Sequence, residues 1–204
     1  MASYGILPAA GHSLRMGQPK LLLPWGTSTL VEHVLHVWQS SQVDVVVVVA
    51  RADDGQLLDV LSRYDVHTVC PPSAPAEMKH SVQYGLQYLR DQFAPADEDR
   101  WLLSPADTPM ITPSHINLVL DAARSDRRSQ IVIPVCDGRR GHPVAFPWPM
   151  ARLVLALRDD EGVNAVVRRH AVWECRVADA GILQDVDCPD EYLRLRGDAT
   201  GPET

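Results

Sequence analysis

Short apolar runs rich in β-branched residues alternate with amphipathic stretches along the whole chain. Gly5-Ile6-Leu7-Pro8 reads as a first strand, followed by a polar loop through Lys20. Leu30, Val31, Val34, Leu35 and Trp38 then recur at the spacing of one helix face. The next run, Val43-Asp44-Val45-Val46-Val47-Val48-Val49, is almost continuously β-branched. A run of that kind predicts a strand buried on both faces, as in a parallel sheet covered by helices.

The alternation continues to the end. Leu57, Leu58 and Leu61 predict a short helix, Val66 to Val69 a third strand, and Val82, Leu86 and Leu89 another helix. Trp101 to Ser104 reads as a fourth strand, Ile116 to Ala123 as a helix and Gln130 to Val135 as a fifth strand. Helical stretches at Met150–Leu157 and Gly162–Arg169, strands at Val172–Val177 and Leu183–Asp187, and a helix from Pro189 complete the series. Repeated β-α units predict a three-layer α/β/α Rossmann-like sandwich with a mostly parallel sheet. One domain over 1–196 and a disordered tail over 197–204 are expected.

Composition narrows the function classes. Hydrophobic residues make up 46% and charged residues 22% of the 204, which excludes a disordered, collagen-like or coiled-coil chain. With Lys+Arg at 19 and Asp+Glu at 26, the net charge is −7. A dedicated nucleic-acid binder carries the opposite field. The longest strongly apolar run, Val45 to Ala50, falls far short of the roughly 20 residues of a membrane helix. No basic segment precedes the first apolar stretch, and Cys70, Cys136, Cys175 and Cys188 form no CxxC pair. A cytoplasmic protein with reduced thiols, and with neither nucleic acid nor membrane as partner, is expected.

Candidate chemistry concentrates between Leu7 and Leu22. Ligands of open α/β sheets bind beyond the carboxyl ends of the strands, where this loop leaves the first strand. Ala9, Ala10 and Gly11 let the backbone approach a ligand, so that N–H groups can cradle phosphate oxygens. Arg15 and Lys20 add positive charge. The loop lacks GxxxxGK[ST], which excludes a P-loop kinase, and lacks GxGxxG, which disfavours dinucleotide redox chemistry. Read alone, a solvated glycine-containing loop stays open.

The order of the residues points further. Gly11-x-Ser13-x-Arg15-Met16-Gly17-x-x-Lys20-x-Leu22 resembles the nucleotide-binding loop of the MobA-like nucleotidyltransferases, which activate molybdenum cofactor, sugars and related phosphates. The resemblance is nearest to the molybdenum cofactor cytidylyltransferase branch. It implies the nucleotide-diphospho-sugar transferase fold, with Pro8, Ala9, Ala10, Gly11, Ser13, Arg15 and Lys20 on the nucleotide.

Three further segments extend the resemblance over nearly the whole chain. In Ser104-Pro105-Ala106-Asp107-Thr108-Pro109 the family places a Mg²⁺-binding carboxylate, here Asp107; a hard cation suits such a strand-end oxygen. Read alone, Asp107 serves equally as a cap before the helix at Pro113. Gly138 to Val144 resembles the family's G-H-P segment, which implies acceptor contacts by Gly141, His142 and Pro143, a structural hairpin being the alternative. Gln184 to Tyr192 resembles D-[IV]-D-T-P-E-D-Y, which implies that Asp187 is a second metal carboxylate, with a helix cap as the other reading. Cys188 replaces the usual Thr or Ser.

The family's G-M-S-x-S-[LI] stretch reads Glu77-Met78-Lys79-His80-Ser81-Val82 here. Met78 and Ser81 keep their places at the nucleotide, whereas Glu77, Lys79 and His80 are bulkier. Lys79 reads either as an added phosphate contact or as a solvated side chain. The resemblance thus implies a Mg²⁺-dependent enzyme in which Lys20, Arg15 and Asp107 catalyse nucleotidyl transfer from a triphosphate to a phosphorylated acceptor. Ala9-Ala10-Gly11 favours CTP, and Mo-bound molybdopterin is the expected acceptor. Guanylyl transfer, or a sugar- or polyol-phosphate acceptor, is the alternative within the fold. A non-catalytic nucleotide-binding or chaperone module, with a molybdoenzyme as partner, is the alternative outside it.

Overall fold

The computed structural model describes residues 1–125 and 129–199. In chain order the elements are β1 (Ser3–Pro8), the short hairpin β2 (Pro24–Trp25) and β3 (Ser28–Thr29), α1 (Leu30–Gln39), β4 (Val45–Val49), α2 (Gly55–Leu61), β5 (His67–Val69), α3 (Met78–Phe93) and β6 (Arg100–Leu103). They continue with α4 (Pro113–Arg124), β7 (Ile131–Cys136), β8 (Arg139–Arg140), β9 (Val144–Pro147), α5 (Ala151–Leu155), α6 (Asn164–Arg169), β10 (Val172–Arg176) and α7 (Pro189–Ala199).

The main sheet runs β10-β7-β9-β6-β1-β4-β5, with β8 added on β7. Strands β5, β4, β1 and β6 are mutually parallel, as are β7 and β10, while β9 lies antiparallel between β6 and β7. Strand alternation sorts the core into two layers. Leu7, Val46, Val48, Leu102, Val132 and Ala145 pack with α1, α2, α4 and α7. Their neighbours Ile6, Val47, Val49, Trp101, Leu103, Ile133 and Phe146 pack with α3, α5 and α6. The predicted three-layer sandwich is therefore the observed one. Trp101 and Phe146, cross-strand partners on β6 and β9, stack with centroids 4.1 Å apart.

Three expectations are corrected. Leu183–Asp187 is no strand: a 3-10 turn covers Ala180–Leu183, and Gln184 to Cys188 runs on without regular structure. There Gln184 N–H closes the turn on Gly181 and Val186 N–H is committed to the Asp107 carbonyl, so the segment joins no ladder. The antiparallel β9 was not foreseen, because Val144-Ala145-Phe146-Pro147 is short and ends in proline. Finally, α7 continues through Gly197 to Ala199, and residues 200–204 of the expected tail lie outside the described residues. Among the described residues no helix is long and apolar enough to cross a membrane.

Candidate active site

The carboxyl ends of β1 and β6 open on one cleft of about 500 Å³. Its lining includes Pro8, Ala9, Ala10, Gly11, Ser13, Arg15 and Lys20 from the first loop, Met78 and Ser81 from α3, and Asp107 and Asp187. All the residues expected on the nucleotide or metal thus line one cavity. Gly141, His142 and Pro143 do not line it, although His142 lies within electrostatic reach of Asp107.

The first loop is shaped by local rules. Ser13 sits at φ +51°, and its carbonyl accepts from the N–H of Met16 at 3.0 Å and of Gly17 at 3.1 Å. Gly17 takes φ +66°, the left-handed region in which a side chain is strained. Ser13 Oγ accepts from Lys20 N–H at 3.3 Å, and buried Met16 anchors the turn in the core. Ala9 N–H extends the sheet to the Val49 carbonyl at 2.8 Å. Beyond that bond, the N–H groups of Ala10, Gly11, His12 and Ser13 make no hydrogen bond among the described residues.

A charged chain crosses the cleft floor. Lys20 Nζ donates to Asp107 Oδ2 at 2.5 Å and to Asp187 Oδ1 at 2.9 Å, while Arg15 Nη2 reaches Asp187 Oδ2 at 2.5 Å. Lys20 and Asp107 are largely buried, whereas the Arg15 side chain is 73% exposed. Burial opposes the Lys20 ammonium, yet Asp107 and Asp187 overcome it and hold the pKa above its ordinary value. Burial raises the Asp107 pKa against the pull of Lys20, and Asp187 and Asp185 add to the rise. At Asp187 burial pushes upward too, but Lys20 and Arg15 prevail and the pKa lies below the usual carboxylate value.

Backbone bonds free both carboxylates for this role. Val186 N–H donates to the Asp107 carbonyl at 2.9 Å, tying the two acidic segments together. The cap of α4 is Thr112, not Asp107. At the start of α7, Glu191 Oε2 takes the N–H groups of Asp187 and Cys188 at 2.9 and 3.1 Å, while the Asp187 carboxylate itself bonds Lys20 and Arg15.

Lys79 answers neither expectation. It is 3% exposed, and its ammonium is bound by the carbonyls of Arg158, at 3.0 Å, and Asp159. It ties α3 to the segment after α5, as a structural cation. Glu77, by contrast, lines the cleft beside Met78.

Sequence reasoning missed Arg51, directly after β4. Its largely buried guanidinium donates from Nη1 to the carbonyls of Gly11, at 3.2 Å, and Ala10, at 3.4 Å. The available signal was its place at a strand's carboxyl end, on the same edge as the loop.

Backbone amides without a partner among the described residues, two cations and paired carboxylates at the carboxyl edge of a sheet make the kind of site at which α/β proteins bind phosphates. A family model for the MobA-like NTP transferase domain matches residues 5–173, and the chain belongs to that family of nucleotidyltransferases. Purine catabolism protein PucB of Bacillus subtilis is 30% identical over 207 residues, covering 94% of this chain and 95% of its own. A probable molybdenum cofactor guanylyltransferase of Bacillus anthracis is 27% identical over 207 residues, at 97% and 98% coverage. Among solved structures, Rv0371c of Mycobacterium tuberculosis superposes with a TM-score of 0.80 at 26% identity, covering 96% of this chain and 98% of its own.

Proposed function

We propose that this enzyme transfers a nucleoside monophosphate, CMP by preference, from a triphosphate to Mo-bound molybdopterin in the cytoplasm. The observation that carries the reading is the Lys20 ammonium held between Asp107 and Asp187, beneath a loop whose amides have no partner among the described residues. An acceptor phosphate oxygen attacks the α-phosphorus, the bond from that phosphorus to its β-bridging oxygen breaks, and pyrophosphate leaves. No covalent enzyme intermediate is involved. The loop amides receive phosphate oxygens, while Lys20 and Arg15 neutralise the charge that builds toward the leaving group. Pro8, Ala9, Ala76 and Met78 give the other end of the cleft an apolar wall for the base. Gly141, His142 and Pro143 remain the candidates for the acceptor side. Burial lowers the pKa of His142, so it offers a neutral imidazole.

The residues fit a divalent cation. Asp107 Oδ1 is buried without a hydrogen-bond partner among the described residues, and the carboxylate pair already holds one cation, the Lys20 ammonium. Among the described residues no set of three or more His, Cys, Asp or Glu is placed to hold a metal. A two-carboxylate site completed by water and substrate phosphates is the habit of Mg²⁺ rather than of a closed protein cage. Asp107 and Asp187 would hold it, and it would supply further charge neutralisation on the triphosphate.

The preference for cytosine rests on Ala9-Ala10-Gly11. Glu77 favours a second reading, guanylyl transfer. Its carboxylate, 59% exposed on the cleft wall, has one oxygen 3.7 Å from the Lys79 ammonium and would offer the other to a base edge rich in donors. Guanine offers two adjacent donors, N1–H and the 2-amino group, whereas cytosine offers one amine beside an acceptor. Competition among the four triphosphates, read as pyrophosphate release with Mo-bound molybdopterin, separates them: CTP-only release supports the first reading, GTP-only release the second. A stable complex with a molybdoenzyme would extend the role to delivery of the product.

A further inference from the structure

Arg51 stands on the far side of the first loop from the nucleotide cleft, which it does not line. Its side chain is 14% exposed and uses the whole fork. Nε donates to Asp53 Oδ1 at 3.0 Å and Nη2 to Asp54 Oδ2 at 3.3 Å, while Nη1 takes the consecutive carbonyls of Ala10 and Gly11. Asp54 is itself fixed as the N-cap of α2, accepting from Leu57 N–H at 3.3 Å. The loop is thereby hung from a helix terminus through one guanidinium.

In a trans peptide the C=O and the following N–H point in opposite directions. Holding the Ala10 and Gly11 carbonyls toward Arg51 turns the N–H groups of Gly11 and His12 the other way. Those two amides have no hydrogen-bond partner among the described residues, and both residues line the cleft. We propose that Arg51 is a positioning residue, which orients the Gly11 and His12 amides as a preformed anion cradle for the triphosphate. The inference rests on the nucleotide reading of the cleft. A lysine keeps the charge but not the fork, so it cannot hold two carbonyls and two carboxylates at once.

The test is calorimetric titration of the full chain with Mg²⁺–CTP, Mg²⁺–GTP and the matching monophosphates. It compares wild type with Arg51→Lys, Arg51→Gln, Lys20→Ala and, as a milder lesion away from the loop, Asp53→Asn. Loss of charge-assisted bonds that hold the cradle predicts triphosphate binding weakened about tenfold in Arg51→Gln. Arg51→Lys should be intermediate and Asp53→Asn weakened severalfold, with monophosphate affinity less affected in each. A merely structural arginine would weaken tri- and monophosphates alike. Wild-type triphosphate affinity in folded Arg51→Gln, with Lys20→Ala impaired, overturns the proposal. Should Arg51→Gln fail to fold, unchanged triphosphate affinity in Asp53→Asn overturns it equally. Undiminished binding in Lys20→Ala, or no triphosphate binding by wild type, instead overturns the nucleotide reading.

Discussion

Two glycine-bearing segments lie at the same edge of the sheet and use their backbones differently. In the first, residues 9–20, a Cβ at Gly11 would meet nothing within 4 Å, and successive amides have no partner among the described residues. In the second, a Cβ at Gly141 would lie 2.3 Å from the Ile182 carbonyl oxygen. There Gly141 N–H donates to Pro134 and His142 N–H to Ile182, each at 2.9 Å, and the His142 ring meets the Leu103 carbonyl at 3.4 Å. The first segment leaves backbone donors unspent, whereas the second spends its backbone donors on the fold, so any acceptor contact there falls to its carbonyls and side chains. Gly11 and His12 are exposed, so their amides face the cleft and solvent and stay available to a ligand, whereas the amides of Gly141 and His142 do not.

Mutation of the cleft floor should separate the two regions most strongly. Lys20→Ala and Asp107→Asn are each expected to lower the rate of pyrophosphate release about 10²–10³-fold, as loss of a preorganised charge contact does. Near-wild-type turnover in either would remove that residue from the chemistry. Gly141→Ala should act on stability instead. Overpacking against a backbone carbonyl costs about 1–3 kcal/mol, which is a fall of several degrees in melting temperature for a chain of this size. If Gly141→Ala left the melting temperature unchanged and raised the KM for the acceptor, the segment would belong to the site as much as the first loop does.

A smaller effect is expected at Arg15. Exposed and, among the described residues, joined only to Asp187, its loss in Arg15→Ala should weaken triphosphate binding about tenfold or less, measurable by titration. The smallest effect concerns acid stability. Asp187 has a depressed pKa in the folded chain, so its contribution is present above the ordinary carboxylate value and is lost as pH falls through the folded value. Asp107 has a raised pKa and the opposite sign: stability declines as pH rises from the ordinary value through the folded one. Melting curves across pH 3–7 should therefore show Asp187→Asn losing stability at the neutral end and Asp107→Asn losing little or none.

Much of this was legible in the chain. The unbroken valines of β4 and the helical spacing of Leu30 to Trp38 dictate layers and periods, and both elements stand where expected. The first loop was equally legible, because Ala9, Ala10 and Gly11 mark its approachable backbone and Arg15 and Lys20 its charge. Arg51 was not, since its role depends on two carbonyls some 40 residues away, which no local pattern specifies. Lys79 was illegible for the same reason: in the sequence it reads either as a phosphate contact or as a solvated side chain, and neither reading anticipates the carbonyls of Arg158 and Asp159 that bind it. Leu183–Asp187 carried a strand-like composition, but Val186 is tied to Asp107 instead of a ladder.

The central claim is that the loop and the paired carboxylates turn over a nucleoside triphosphate. Its most direct test is pyrophosphate release by the purified protein with Mg²⁺, each of the four triphosphates in turn, and Mo-bound molybdopterin. Release that depends on Mg²⁺, is confined to one triphosphate and disappears in Lys20→Ala is the predicted result. Absence of release from all four, with no binding of any triphosphate to the wild-type protein, would contradict it.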